Sequence, residues 1–190
     1  DHQAEITLYD INSKVVFSKK IAVNLSDDES LKILDLPSLK GNNKVYFLDL
    51  KLKNSSGTVV TDNFYWLSSK MDKMAWSKTL WFYTPIQQFA DFKEINAMEK
   101  VDISVEKEIV SQGNEWEMNV TVNNPSEKLA FFIELMATKK SDGSSILPVF
   151  WSDNYISLAP GESKVLNLKF YGKDLGNEEP AIKVQGINLK

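Results

Sequence analysis

Over most of this chain apolar residues recur at every second position, and clusters of Gly, Pro, Asn, Asp and Ser break the runs at short intervals. That pattern constrains the fold more than any other feature, because successive side chains of a strand point to opposite faces and only a half-buried strand needs period two. Val101, Ile103 and Val105 alternate with Asp102, Ser104 and Glu106, and Gln112-Gly113-Asn114 turns the chain. Trp116, Met118, Val120 and Val122 then alternate with Glu117, Asn119 and Thr121 until Asn123-Asn124-Pro125-Ser126, where a proline cannot donate to a ladder. Leu129 to Met136 reads as a strand buried on both faces, Ser141-Asp142-Gly143-Ser144 as a turn, and Ile146 to Phe150 as the next strand. Ala159-Pro160-Gly161-Glu162 turns again, Leu166, Leu168 and Phe170 alternate, and a last strand covers Ala181 to Leu189.

The first half follows the same grammar. Strands are expected around Ile6 and Leu8, from Val15 to Leu25, at Leu31, Ile33 and Leu36, from Val45 to Leu52, and after Ser55-Ser56-Gly57 from Val59 to Leu67. That is about five, where an immunoglobulin-like sandwich has roughly seven. Between the halves, residues 68–98 lack clean alternation and carry Met71, Met74, Trp76, Trp81, Phe82, Tyr83, Phe89 and Phe92, with a helical turn expected near Gln87 to Ala97. The expected class is all-β: two immunoglobulin-like β-sandwich domains in tandem, the first either lacking its first strands or atypical. The first domain takes residues 1–97, including the aromatic-rich connecting segment, and the second takes 98–190. Thr61-Asp62-Asn63-Phe64-Tyr65 and Ser152-Asp153-Asn154-Tyr155 hint at duplication, each read as strand–turn–strand.

Composition removes most chemistries. His2 is the only histidine and there is no cysteine, so a Ser-His-Asp triad, a Cys-His dyad, thiolate zinc sites and multi-histidine metal sites are excluded. A net charge of −4 with mixed signs argues against nucleic-acid binding. No apolar run approaches the ~20 residues of a membrane helix. Only carboxylate chemistry is left, and the candidates Glu106, Glu108, Glu115 and Glu117 alternate onto the polar face, where water surrounds them and they make poor general acids. Asp27-Asp28-Glu29 reads as a solvated turn rather than a calcium loop, and Asp62-Asn63 and Asp153-Asn154 as Asx turns. No catalytic residue, metal ligand or cofactor site is assigned.

Several stretches resemble the C-terminal region of glycoside hydrolase family 2 enzymes of the β-mannosidase and exo-β-glucosaminidase type. Phe47-Leu48-Asp49-Leu50-Lys51-Leu52, Gly57 and Thr61-Asp62-Asn63-Phe64-Tyr65-Trp66-Leu67 are similar to the end of that family's middle immunoglobulin-like domain. Tyr83-Thr84-Pro85 with Ala90-Asp91-Phe92 resembles its link to the last domain, and Ser152-Asp153-Asn154-Tyr155 with Leu158-Ala159-Pro160-Gly161-Glu162 a turn of that domain. The resemblance implies an accessory region excised from an O-glycosyl hydrolase, with the catalytic barrel of the parent enzyme as intramolecular partner and a periplasmic or extracellular setting. The family's paired carboxylates lie on barrel strands, so none maps to a position here.

Trp66, Trp76, Trp81 and Tyr83 are the candidate contact residues. They serve a sugar, which stacks on aromatic faces, or core and inter-domain packing, or contact with the barrel. Three functions compete: a non-catalytic region that buttresses the barrel and lends a loop to the rim of its substrate pocket, an independent carbohydrate-binding module, and an immunoglobulin-like protein-interaction unit.

Overall fold

In the computed structural model, residues 2–39 and 44–190 are described, and the chain divides into two compact units, Asp1–Met98 and Glu99–Lys190. The regular structure of each is almost entirely antiparallel strand.

The first unit holds one four-stranded sheet of β1 (His2–Asp10), β2 (Val15–Val23), β3 (Val45–Asn54) and β4 (Val59–Ser68), in the order β2-β1-β3-β4. Ile6 faces Leu50 and Leu8 faces Leu48, so one face of β1 and β3 carries a core, while Val45 and Phe47 are buried on the other face of β3. Ile6, Leu8, Tyr46 and Leu48 are buried there under Phe17, Ile21, Leu34, Leu39 and Leu67. A turn at Asn54–Thr58, where Gly57 takes a positive φ of 82°, returns β3 into β4. The strand expected at Leu31, Ile33 and Leu36 is absent. Those three side chains are exposed, and Leu34 and Leu39 lie against the sheet from an irregular segment. Pro37 lacks the N–H that a ladder would use, so the apolar residues cover the sheet without joining it.

A two-stranded ribbon completes this unit, β5 (Lys73–Met74) paired with β6 (Ile86–Gln88). The helical turn expected over residues 87–97 is split: Ile86–Gln88 is strand, and only Lys93–Ala97 winds, as a 3₁₀ turn. Glu94 in that turn accepts from the N–H groups of Lys44 (2.7 Å) and Val45 (3.0 Å), tying it to the start of β3.

The second unit is a seven-stranded sandwich. One sheet runs β10-β12-β8-β7, from β7 (Ser104–Ser111), β8 (Glu115–Asn123), β10 (Val149–Trp151) and β12 (Ser163–Tyr171). The other runs β11-β9-β13, from β9 (Ala130–Lys139), β11 (Ile156–Leu158) and β13 (Pro180–Gln185). Met118, Val120 and Val122 of β8, Leu166, Leu168 and Phe170 of β12, and Ile133, Leu135 and Ala137 of β9 share one core. Four-plus-three strands is the constant-type immunoglobulin count. β9 was expected to be buried on both faces, but Phe132, Glu134 and Met136 are only part-buried, so it alternates. β7 starts at Ser104, and Val101 forms an isolated bridge with Leu189.

The proposed duplication fails. Asp62 and Asn63 lie in mid-strand, opposite Lys51 and Leu50, and not in a turn. Asp153 and Asn154 lie in the loop between β10 and β11. Asp62-Asn63 satisfies its backbone through the β3 ladder, which overrides the local Asx preference.

Candidate functional site

The acidic residues weighed in the sequence are dispersed. Glu106 and Glu108 sit on β7 opposite Thr121 and Asn119, exposed. Glu117 on β8 accepts from Asn167 Nδ2 at 2.9 Å and pairs with Lys169 at 3.4 Å. In the Asp27-Asp28-Glu29 turn, Glu29 folds back to accept from Ser26 N–H at 2.9 Å. Among the described residues no group of three or more His, Cys, Asp or Glu could hold a metal ion.

The aromatic segment forms an ordered projection. Ala75 N–H donates to Pro85 O (2.8 Å) beyond the β5–β6 pair, and a 3₁₀ turn at Trp76–Lys78 follows. Leu80 and Tyr83 then bond each other's backbone across a two-residue tip made of Trp81 and Phe82. The Thr79 and Thr84 hydroxyls meet at 3.2 Å just below that tip. Trp81 is 95% exposed and its ring meets that of Phe82 edge-on at 5.0 Å. Trp76 is 72% exposed, and Met71, Leu80, Tyr83 and Phe89 are also exposed. Of the four candidate residues, Trp76, Trp81 and Tyr83 therefore share one ribbon. Trp66 belongs to β4, opposite Phe47 of β3. Scattered surface apolar residues are ordinary, but here many large ones crowd one short ribbon.

A second cluster lies on the β11-β9-β13 sheet, and sequence reasoning missed it. Ile156 and Leu158, two residues apart on β11, face Ile133 and Ala130, three apart on β9, so β9 carries a bulge at Phe131–Phe132. Phe132 takes φ 55° and Tyr155 φ 54°, positive values that cost an aromatic residue on the order of 1–3 kcal/mol each. Surrounding bonds hold both. Phe132 N–H donates to Ser157 Oγ at 3.2 Å. Asn154 imitates a strand residue: it accepts from Leu135 N–H at 2.9 Å, donates to Leu135 O at 2.8 Å and accepts from Tyr155 N–H at 2.9 Å.

The outcome is a tilted aromatic pair, Phe132 and Tyr155, with ring centroids 5.3 Å apart. The Tyr155 hydroxyl donates to Glu134 Oε1 at 2.8 Å, and the nearby carboxylate raises its pKa above the ordinary phenol value. Gln185 donates its amide to the other oxygen of Glu134. Together with Gly186 and Ile187 these groups line a cleft of about 290 Å³. The only hint in the sequence was Asn154-Tyr155 after a turn, because a bulge leaves no periodic mark.

Residues 81–189 match the family described as the exo-β-D-glucosaminidase Ig-fold domain, and residues 1–70 match the mannosidase Ig/CBM-like domain. An exo-β-D-glucosaminidase of Hypocrea virens is 31% identical over 98% of the chain, and one of Streptomyces avermitilis 33% over 97%. In each case the chain spans 21% of the relative's length, about a fifth. The crystal structure of the exo-chitosanase of Amycolatopsis orientalis superposes with a TM-score of 0.90 at 29% identity, over 99% of this chain and 23% of that one.

Proposed function

The chain belongs to the exo-β-D-glucosaminidase Ig-fold family of glycoside hydrolase family 2, and from that premise we propose that it is the non-catalytic accessory region of an exo-glucosaminidase, buttressing the catalytic barrel through its aromatic ribbon. One observation carries the reading: the ordered ribbon leaves Trp76, Trp81, Phe82 and Tyr83 exposed. A surface of this kind is held rigid at a cost, and coverage by a larger body of the same polypeptide recovers it. The similarity to exo-β-D-glucosaminidases favours a glucosamine-type parent over a β-mannosidase, although the family matching the first 70 residues bears a mannosidase name.

The test uses the whole enzyme. Trp81→Ser with Phe82→Ser removes two anchors that lie outside both units' cores. Buried aromatic anchors of an interface cost about 2–4 kcal/mol when truncated. The full-length enzyme is therefore expected to inactivate at a markedly lower temperature, while the 190-residue chain alone melts unchanged. Equal inactivation temperatures would sink the buttress.

The exposure of Trp81 also favours a second reading, carbohydrate binding by the ribbon itself. It predicts that glucosamine or mannose oligosaccharides quench the tryptophan fluorescence of the 190-residue chain, and that Trp81→Ser abolishes the change.

A further inference from the structure

We propose that the cleft on the β11-β9-β13 sheet, formed by Phe132, Glu134, Tyr155 and Gln185, is a binding site for a protonated amino-sugar unit, separate from the ribbon. Two observations bear on what it takes. Its walls are two aromatic rings, a carboxylate and a side-chain amide, and no lysine lines it. Glu134 forms no ion pair among the described residues; its two oxygens accept from Tyr155 and Gln185 and each keeps a lone pair for a further donor. A cleft whose one charge is an uncompensated carboxylate, walled by aromatic faces, is complementary to an ammonium group carried on a partly apolar ring.

Size agrees. About 290 Å³ lies at the lower edge of small-ligand sites, which run from about 300 to 1,000 Å³, and suits a single sugar ring rather than a long oligomer. Preorganisation agrees too. Both rings stand on backbone in the left-handed region, fixed by Ser157 and Asn154, and Tyr155 is pinned at its far end by Glu134. A site whose side chains are locked by hydrogen bonds loses little freedom when it binds. A pyranose ring would lay its C–H face on Tyr155 and Phe132, its ammonium would donate to Glu134, and a hydroxyl would donate to the Gln185 carbonyl oxygen.

That the sugar is glucosamine rather than another amine rests on the exo-glucosaminidase reading above. Such a site would hold a second stretch of a cationic polysaccharide while a chain end is processed elsewhere in the enzyme.

The 190-residue chain is titrated by calorimetry with β-1,4-linked glucosamine disaccharide, its N,N′-diacetyl form and cellobiose. The expected result is measurable binding of the free amine only. Glu134→Gln should weaken it at least about tenfold, the scale of one charge-assisted hydrogen bond. Tyr155→Asn, whose side chain tolerates the left-handed backbone, should abolish binding while circular dichroism stays native. Val165→Thr, exposed on β12 of the opposite sheet, should leave it unchanged. Equal binding of the acetylated or neutral disaccharides, full affinity in both cleft variants, or no binding at all overturns the proposal. Failure of the underlying reading is seen separately: the full-length enzyme would then release a sugar other than glucosamine from its substrates.

Discussion

Replacing Asn124 by alanine is expected to cost the second unit a large part of its stability. Asn124 is fully buried at the end of β8. Its amide nitrogen lies 2.7 Å from Lys128 O, 3.1 Å from Ala159 O and 3.2 Å from Leu158 O. Its oxygen accepts from the Ser126 hydroxyl at 2.7 Å and from Ser126 N–H at 3.2 Å. One side chain thus clamps the turn after β8 to the chain leaving β11. Two amide hydrogens serve three carbonyls, of which Lys128 O keeps the Ser126 hydroxyl and Ala159 O the Glu162 N–H as donors. Alanine therefore removes two donated and two accepted bonds of a buried amide, at about 0.8–1 kcal/mol each, a loss of about 3–4 kcal/mol. For a unit of this size each kcal/mol moves the melting temperature by about 4–8 °C, so a fall of more than about 12 °C is expected. Urea unfolding followed by two-dimensional NMR would assign the loss to the second unit alone. Asn124→Asp provides the control. It keeps the acceptor but turns a carboxylate towards three carbonyls, so it should be at least as damaging near neutral pH. The folded state then holds the aspartic acid proton more tightly than the unfolded chain, where the pKa is about 3.9, so stability should recover as pH falls. A loss below about 1 kcal/mol for the alanine variant, or no acid recovery for the aspartate, would refute the clamp.

Two further outcomes are expected. Gly172→Ala would place a Cβ 2.4 Å from the Gly113 carbonyl oxygen and 3.2 Å from Trp116 Nε1, so thermal melting should show a loss of about 1–3 kcal/mol. Glu5 receives hydrogen bonds from Lys20 and Lys53, each at 2.7 Å, and these hold its carboxyl below the ordinary value of 4.5. The stabilisation it gives is complete above that ordinary value and lost as pH falls through the lower folded-state value. Urea midpoints should therefore separate the wild-type chain from Glu5→Gln by about 0.5–1 kcal/mol at pH 6, and the gap should close in acid.

The strands were legible wherever the two faces of a sheet meet different solvents. Met118, Val120 and Val122 face the core and their neighbours do not, so alternation located β8 without help. It misled at Leu31, Ile33 and Leu36, which stand exposed on an irregular segment whose Leu34 and Leu39 lie over the sheet, because apolar spacing alone does not specify a ladder. Asn123-Asn124-Pro125 was read as a strand breaker, and it is one, but its clamp onto Leu158 and Ala159 joins residues 34 and 35 positions apart that local pattern does not connect. The aromatic ribbon was visible as composition; that it is a two-residue hairpin with Trp81 and Phe82 at the tip depends on backbone bonds. The Phe132–Tyr155 cleft was not visible, because it depends on a bulge and on Glu134 and Gln185 meeting from different strands.

The order β2-β1-β3-β4 has a consequence for how the chain survives its own synthesis. β1 pairs at once with β2 but meets its other neighbour only after β3, about forty residues later, has emerged. Until then the early hairpin displays Ile6 and Leu8 and an open hydrogen-bonding edge, the kind of template that recruits other unfolded chains. Lys19 and Lys20 stand in the middle of its outer strand, and Glu5 faces Lys20 across it, so another copy would have to bury charge to join. On the finished sheet Asp62 occupies the corresponding position on the opposite margin, β4. Charges that add little to the stability of the native state thus act as gatekeepers against aggregation while it forms.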